Sequence, residues 1–182
     1  MRGNTQVMLE EGWVLFHFDG DRTWAARESS ENQEKFQEHV WERVRELVGS
    51  TLARSQNGST PQESEAQAGA RMTRLKTVVP FYSMEAWLFQ NTREAVRLCQ
   101  EHYQGRDISK FQEWAQDRTA LDEVDQPKKK TCLKAAHNHD LASTGFPARE
   151  VRAAGKSFAA TVESLRQDTE LREALARTYS LE

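Results

Sequence analysis

The run Trp13–Phe18 (WVLFHF) and the Asp-Gly-Asp that follows it constrain the possible folds of this sequence most strongly. The run is mostly aromatic or branched, which is typical of a strand buried on both faces of a sheet. Ligands of open α/β sheets bind just beyond the carboxyl ends of the strands, where Asp19 and Asp21 would lie. Gly20 lets the backbone turn tightly, so both carboxylates could ligate one divalent cation. In the opposing interpretation, they form a turn and hydrogen-bond only their own loop.

The overall composition limits the classes of function. A chain of 182 residues is long enough for one domain with a core. A formal net charge of −3 argues against a generally cationic surface, so any contact with nucleic acid would be local or cation-assisted. No apolar segment is as long as a membrane span and residues 1–11 lack a signal-peptide core, which predicts a cytoplasmic protein. Cys99 and Cys132 are too few for a disulfide framework and are predicted to be free thiols.

Hydrophobic periodicity predicts an α/β fold with two strands among about five helices. Ser29 or Ser30 can cap a helix over about Glu31–Val48, which Gly49 would end. The Ser-, Gln- and Gly-rich segment at about 50–70 is predicted to be a flexible surface loop. Further predicted elements are a strand at Leu75–Val79, a helix at about Thr92–His102, a helical C-terminal region from about residue 105, and a last helical region at about Lys156–Arg177.

Other candidate functional residues lie outside the Asp-Gly-Asp turn. Glu85 could be a third acid, or a structural carboxylate favoured at a helix start. Lys128, Lys129 and Lys130 are either a solvated face or a contact to phosphate groups. Trp87 is predicted to lie in the core rather than to stack on a base. His17 is predicted to lie in the core or beside a bound ion.

The segment Asp19–Thr23 (DGDRT) after an apolar strand resembles the first motif of the haloacid-dehalogenase phosphatases. The resemblance implies that Asp19 is a nucleophile, that Asp21 is a general acid and that magnesium lies between them. It covers only these residues, because the second half of the chain offers no strand that ends in two acids. A phosphatase of this type is therefore one alternative function.

A longer resemblance spans most of the chain. It combines the strand ending in Asp-x-Asp, an amphipathic helix, a strand that enters Pro80–Leu88 (PFYSMEAWL), and the turn Asp125–Lys129 (DQPKK). These features resemble the TOPRIM-like proteins of bacteria, which include small proteins related to the nuclease domains of anti-phage defence systems. The resemblance implies a single domain over residues 1–182 with a small, mostly parallel sheet flanked by helices and a helix-rich C-terminal half.

In the TOPRIM-like fold, a glutamate after the first strand and the Asp-x-Asp after a later strand hold Mg²⁺, which stabilises charge on a phosphodiester. The resemblance implies that Asp19 and Asp21 bind the metal. The resulting hypothesis is that Asp19 and Glu85 are catalytic and that Lys128–Lys130 bind nucleic acid. Only Met1–Gly12 precedes the strand here. The missing glutamate is therefore expected from an absent start of the chain or from a partner subunit, unless catalysis has been lost. The alternative function is a non-catalytic TOPRIM-like subunit or interaction module.

Overall fold

The computed structural model describes residues 12–55 and 60–179 and contains one two-stranded parallel sheet. Strand β1 (Val14–His17) pairs with β2 (Leu75–Val78), so that Val14 lies opposite Leu75 and His17 lies opposite Val78. Parallel strands need a long crossover connection, which is helical here. The predicted mixed α/β fold with a small parallel sheet is confirmed.

The crossover between the strands is formed by helices. They are α1 (Glu31–Phe36), a π-helical turn (Gln37–Trp41), α2 (Glu42–Ser55) and α3 (Pro61–Met72). The predicted end of the helix at Gly49 is wrong, because α2 continues to Ser55. A Cβ at Gly49 would lie 3.6 Å from the Cβ of Ala68, so this glycine lies on the face of α2 that packs against α3.

The prediction of a loop over residues 50–70 is wrong for 50–55 and 61–70, which are helical, while residues 56–59 lie outside the described residues. The polar composition of this segment favours a loop, but a capping box at the start of α3 indicates a helix. The Thr60 hydroxyl accepts a hydrogen bond from the Glu63 amide at 3.2 Å, and the Glu63 carboxylate accepts one from the Thr60 amide at 2.8 Å. Pro61 occupies the first turn, where its missing N–H costs nothing.

Helices and short helical turns make up most of the described chain after β2, as predicted from about residue 105 onward, and the helix Thr92–His102 has its predicted bounds. The α-helices are α4 (Met84–Leu88), α5 (Thr92–His102), α6 (Ser109–Gln116), α7 (Asn138–Ser143), α8 (Ala148–Ala154), α9 (Lys156–Gln167) and α10 (Thr169–Tyr179). Short helical turns cover Trp24–Ser29, Arg118–Glu123, Pro127–Lys130 and Ala135–His137. The predicted last helical region, Lys156–Arg177, is helical but is divided into α9 and α10, because Asp168 interrupts it.

The described residues form two compact units whose segments alternate along the chain. The sheet unit contains residues 12–18, 31–55, 60–78 and 165–179. The helical unit contains Asp19–Ser30 and Val79–Ser164. Each unit has its own apolar core, as expected for a compact folding unit.

Only one face of β1 packs against the core of the sheet unit. Val14 is buried and Phe16 contacts the ring of Phe36, whereas Leu15 is 52% exposed and His17 is exposed. The predictions that this strand is buried on both faces and that His17 lies in the core are therefore wrong. The alternation of inward and outward side chains is that of a strand with one covered face.

The core of the helical unit contains Phe89, Phe111 and Trp114 in mutual ring contact, and Trp87 is 6% exposed, which confirms its predicted core position. A disulfide joins Cys99 on α5 to Cys132, with their Cα atoms 6.0 Å apart. The prediction of free thiols is therefore wrong, because the fold brings together two cysteines that lie 33 residues apart. None of the described helices is both long and apolar enough to span a bilayer.

Candidate functional site

Asp19 links the turn after β1 to the start of α4. Its Oδ1 accepts a hydrogen bond from the backbone amide of Met84 at 3.0 Å. Glu85 is the next residue of α4, so this bond brings the Asp19 carboxylate to the helical turn that carries Glu85. The Asp-Gly-Asp turn and the start of α4, 65 residues apart in sequence, therefore contact each other in the helical unit, next to the residue Glu85.

Gly20 is held against the segment before α4. Its amide donates a hydrogen bond to the carbonyl of Pro80 at 2.9 Å, and it forms an isolated parallel bridge with Phe81. A Cβ at position 20 would lie 3.0 Å from ring atoms of Phe81 and 3.1 Å from Val79, so these side chains would have to shift to admit it. Glycine is therefore favoured at position 20 by the close approach of two chain segments, which the tight turn suggested by the sequence did not include.

Asp21 is oriented by its neighbours in the same loop. Its Oδ1 accepts a hydrogen bond from the hydroxyl of Ser30 at 2.7 Å, and its Oδ2 lies 3.2 Å from the guanidinium of Arg22. Ser30 is only 2% exposed, so its hydroxyl is a fixed donor. The sequence identified this serine only as a possible helix cap and gave no indication that it positions Asp21.

Glu85 is held by polar groups from two other segments. The Asn138 amide group donates to its Oε1 at 3.3 Å, and Ser83 also donates to its carboxylate. Burial alone would raise the pKa of Glu85, but these hydrogen bonds and the charge of Lys128 outweigh burial and lower the pKa below its usual value. Glu85 is thus ionised at neutral pH and faces a lysine from the predicted Pro-Lys turn.

Asn138 adds a further oxygen beside Glu85. Because its Nδ2 donates to the carboxylate, the orientation of the amide is fixed, with Oδ1 as the remaining acceptor. Within the described residues, this buried Oδ1 has no hydrogen-bond partner. Buried acceptors are nearly always satisfied, so the atom is suited to a bound cation or to a donor group of a ligand. Sequence reasoning missed Asn138, since no spacing rule connects it to Glu85.

Two left-handed backbone residues flank this region. Tyr82 has a φ of 67° and Gln126 a φ of 48°, and both are non-glycine residues in a conformation that costs free energy. A hydrogen bond to Asp125 raises the pKa of the Tyr82 hydroxyl. The loop before α4 therefore contacts the Asp125–Lys129 turn, and backbone strain of this kind is frequent at functional sites.

The three predicted lysines have different surroundings. Lys128 acts on Glu85, whereas Lys129 and Lys130 line a cavity together with Tyr103, Arg106 and other residues of the helical unit. All three side chains are exposed. The structure thus places Lys128 near Glu85, links Asp19 to the amide of Met84 before Glu85, keeps Asp21 in the same loop as Asp19, and gives Lys129 and Lys130 another set of neighbours.

The oxygen atoms of the side chains around Asp19 are the kind of ligand that a hard cation such as Mg²⁺ prefers. In the part of the chain that the structure describes, no group of three or more His, Cys, Asp or Glu side chains converges on one point. Mg²⁺ does not require such a cage, because it is usually held by one or two carboxylates together with waters and substrate phosphates. The carboxylates of Asp19, Asp21 and Glu85 and the Oδ1 of Asn138 are oxygen donors of the kind it prefers.

A second polar cluster lies in the core of the helical unit. The indole N–H of Trp87 donates to the hydroxyl of Ser157 at 2.7 Å, and that hydroxyl donates to Asp122. Asp122 is 1% exposed, and burial raises its pKa to about 6. The Lys156 ammonium next to it donates to the carbonyl of Thr119 and pairs with Glu123. This cluster connects α4, the Arg118–Glu123 turn and α9.

Comparisons of the chain with protein-family models, with curated proteins and with solved structures find no match. The arrangement of side chains in the helical unit is therefore the basis for the function proposed next.

Proposed function

We propose that this chain is a magnesium-dependent enzyme that cleaves or transfers phosphodiester bonds of nucleic acid. Asp19 and Asp21 are its metal ligands, Glu85 supports the metal, and Lys128 holds the phosphate backbone. The observation that carries the proposal is the hydrogen bond from the Met84 amide to Asp19, which fixes the Asp-Gly-Asp turn at the start of the helix that carries Glu85. The TOPRIM-like resemblance of the same segments supports it.

The residues have distinct tasks in this proposal. When bound, the ion would supply positive charge that stabilises the transition state of the phosphodiester. Ser30 and Asn138 orient the carboxylates of Asp21 and Glu85 through their hydrogen bonds. Because its pKa lies below the usual value, Glu85 is a poor proton acceptor at neutral pH, which favours a role in holding the cation. Lys128 places a positive charge where a phosphate would approach Glu85.

Nuclease assays on labelled single- and double-stranded DNA and RNA, with Mg²⁺ or with EDTA, test the proposal. We expect Mg²⁺-dependent cleavage that falls by about 100-fold or more in D19N and in D21N. The matched control is E38Q, which removes one negative charge from an exposed side chain of the sheet unit. Cleavage that is equal in D19N, D21N and E38Q contradicts the proposal.

A thermal melt with and without Mg²⁺ gives an independent test. Selective binding of the ion to the folded state should raise the melting temperature of the wild type and of E38Q, but not that of D19N. A wild type that shows neither a shift with Mg²⁺ nor cleavage of any nucleic acid has instead the non-catalytic function that the sequence also allows.

A further inference from the structure

A cavity of about 470 Å³ in the helical unit has a strongly cationic lining. Its walls carry the positive side chains of Arg106, Lys110, Lys129, Lys130 and Lys134, against one acid, Asp107. The volume lies within the range of about 300–1,000 Å³ that ligand sites occupy. In a chain whose net charge is −3, this concentration of positive charge is a local feature.

Most of these cations are not neutralised by the protein. Lys110 pairs with Glu113 at 2.6 Å, but no residue of the described ranges forms an ion pair with Arg106, Lys129, Lys130 or Lys134. Like charges crowded around one concavity repel one another, so the folded state bears a cost that a bound polyanion would relieve. The lining therefore favours a ligand with several phosphate groups.

Aromatic rings lie next to these cations. The ring of Tyr103 lines the cavity, and Lys134 lies 5.7 Å from its centroid. The rings of His102 and His137 stack with centroids 5.0 Å apart, and the Tyr103 hydroxyl lies 3.2 Å from Nε2 of His137. Proteins that bind single-stranded nucleic acid combine a cationic groove with aromatic rings on which unpaired bases stack.

We infer that this cavity binds the backbone of a single-stranded nucleic acid, with Tyr103 as a stacking platform for a base. The choice of nucleic acid as the ligand rests on the proposed function, whereas the site itself is separate from the carboxylates and needs no metal. Lys129 and Lys130 then hold the strand in this cavity, while their neighbour Lys128 acts at Glu85.

Fluorescence anisotropy with a labelled 12-nucleotide single strand in EDTA tests the inference without catalysis. The triple variant R106Q/K130Q/K134Q should bind at least about tenfold more weakly than the wild type. The slope of log K against log salt should decrease in magnitude by about 2, since each phosphate contact to a single strand contributes about 0.7. The control is K35Q/R43Q/R54Q, which removes the same charge from exposed helix positions of the sheet unit and should bind like the wild type.

A second pair of variants tests the ring. Y103L should weaken binding of the 12-mer but not of an abasic strand of the same length, whereas Y103F keeps the ring and should bind both normally. Circular dichroism and thermal melts identify any variant that fails to fold. Equal binding by the two triple variants, equal affinity for a duplex, or displacement by pyrophosphate at the same phosphate concentration would each overturn the inference.

The two proposals can fail separately. Binding in EDTA that depends on the cavity cations, without cleavage in Mg²⁺, keeps this site and removes the proposed function. Cleavage that requires Asp19 but is unchanged in the triple variant keeps the proposed function and removes this site.

Discussion

Asp19 contributes both a negative charge and an acceptor for the hydrogen bond of the Met84 amide. Two substitutions distinguish the effect of the charge from that of the hydrogen bond. D19N keeps an Oδ1 acceptor for the amide but removes the charge, whereas D19A removes both. We expect D19A to lower the free energy of unfolding by about 0.5–2 kcal/mol relative to D19N, as for loss of a capping acceptor. Urea denaturation measures this difference. If the hydrogen bond contributes nothing, the two variants will be equally stable.

Asp122 should make the protein less stable as the pH rises, whereas an acid in an ion pair makes a protein less stable as the pH falls. Burial raises its pKa to about 6 in the folded state, against about 3.9 for an ordinary aspartate. The folded protein therefore keeps a proton that the unfolded chain has lost, so this contribution to stability is complete below about pH 4. It decreases as the pH rises towards 6 and is absent above that.

The variant D122N isolates this effect, because its amide oxygen can still accept the hydrogen bond of Ser157. Between pH 4 and pH 7, the wild type should lose up to about 3 kcal/mol of unfolding free energy relative to D122N. Urea denaturation at several pH values measures the loss, and E113Q serves as an exposed control. Parallel pH profiles for the wild type and D122N would show that Asp122 titrates normally.

At the scale of elements, Asp168 explains why the C-terminal helical pattern is divided in two. Its Oδ1 accepts a hydrogen bond from the Leu171 amide at 2.9 Å and caps α10, and its Oδ2 lies 2.8 Å from Nζ of Lys76 on β2. Burial alone would raise the pKa of Asp168, but these two contacts outweigh it and lower the pKa. Its contribution to stability is thus present at neutral pH and is lost as the pH falls below about 4.

D168A removes the cap and the ion pair, and should lower the free energy of unfolding by about 1–2 kcal/mol at pH 7. D168N keeps the cap acceptor and should lose less than half as much. Chemical denaturation of both variants and of K76M separates the contributions. If K76M and D168A are equally destabilised, the ion pair matters and the cap does not.

The sequence predicted the elements that have strong local signals. The bounds of Thr92–His102 and the strand at Leu75 follow from periodicity and from Pro80. Local signals can also mislead. Gly49 by itself predicts a helix end, because its role in packing against α3 depends on Ala68, which lies far away in sequence. The polar composition of the segment at 50–70 predicts a loop, although a capping box at Thr60 and Glu63 starts a helix there.

In the candidate site, too, local features could be predicted from the sequence, whereas contacts between distant segments could not. Asp19, Asp21 and Glu85 could be selected from residue type and position after a strand or at a helix start. The donors that orient them, Ser30 and Asn138, could not, because their contacts form only when distant segments fold together. The different surroundings of Lys128 and Lys129 were also hidden, since adjacent residues in a helical turn point in different directions.

At the scale of the whole molecule, the Cys99–Cys132 disulfide constrains the helical unit. It closes a loop over a sequence separation of 33 residues, and such a link stabilises a fold by about 2–4 kcal/mol. We expect a phosphine reductant to lower the melting temperature of the wild type. The variant C99A/C132A should melt at one temperature in both conditions. Thiol titration of the denatured protein should detect two thiols only after reduction, and two thiols without reductant would contradict the disulfide.

The alternation of the two units along the chain affects how the protein can be made. The sheet unit takes segments from the beginning, the middle and the end of the described residues. A growing polypeptide on the ribosome cannot complete that unit until α10 has emerged, although every residue of the helical unit is available earlier. The sheet unit cannot be obtained by cutting the gene at a single point, so a fragment that ends before α10 should lack one segment of that unit.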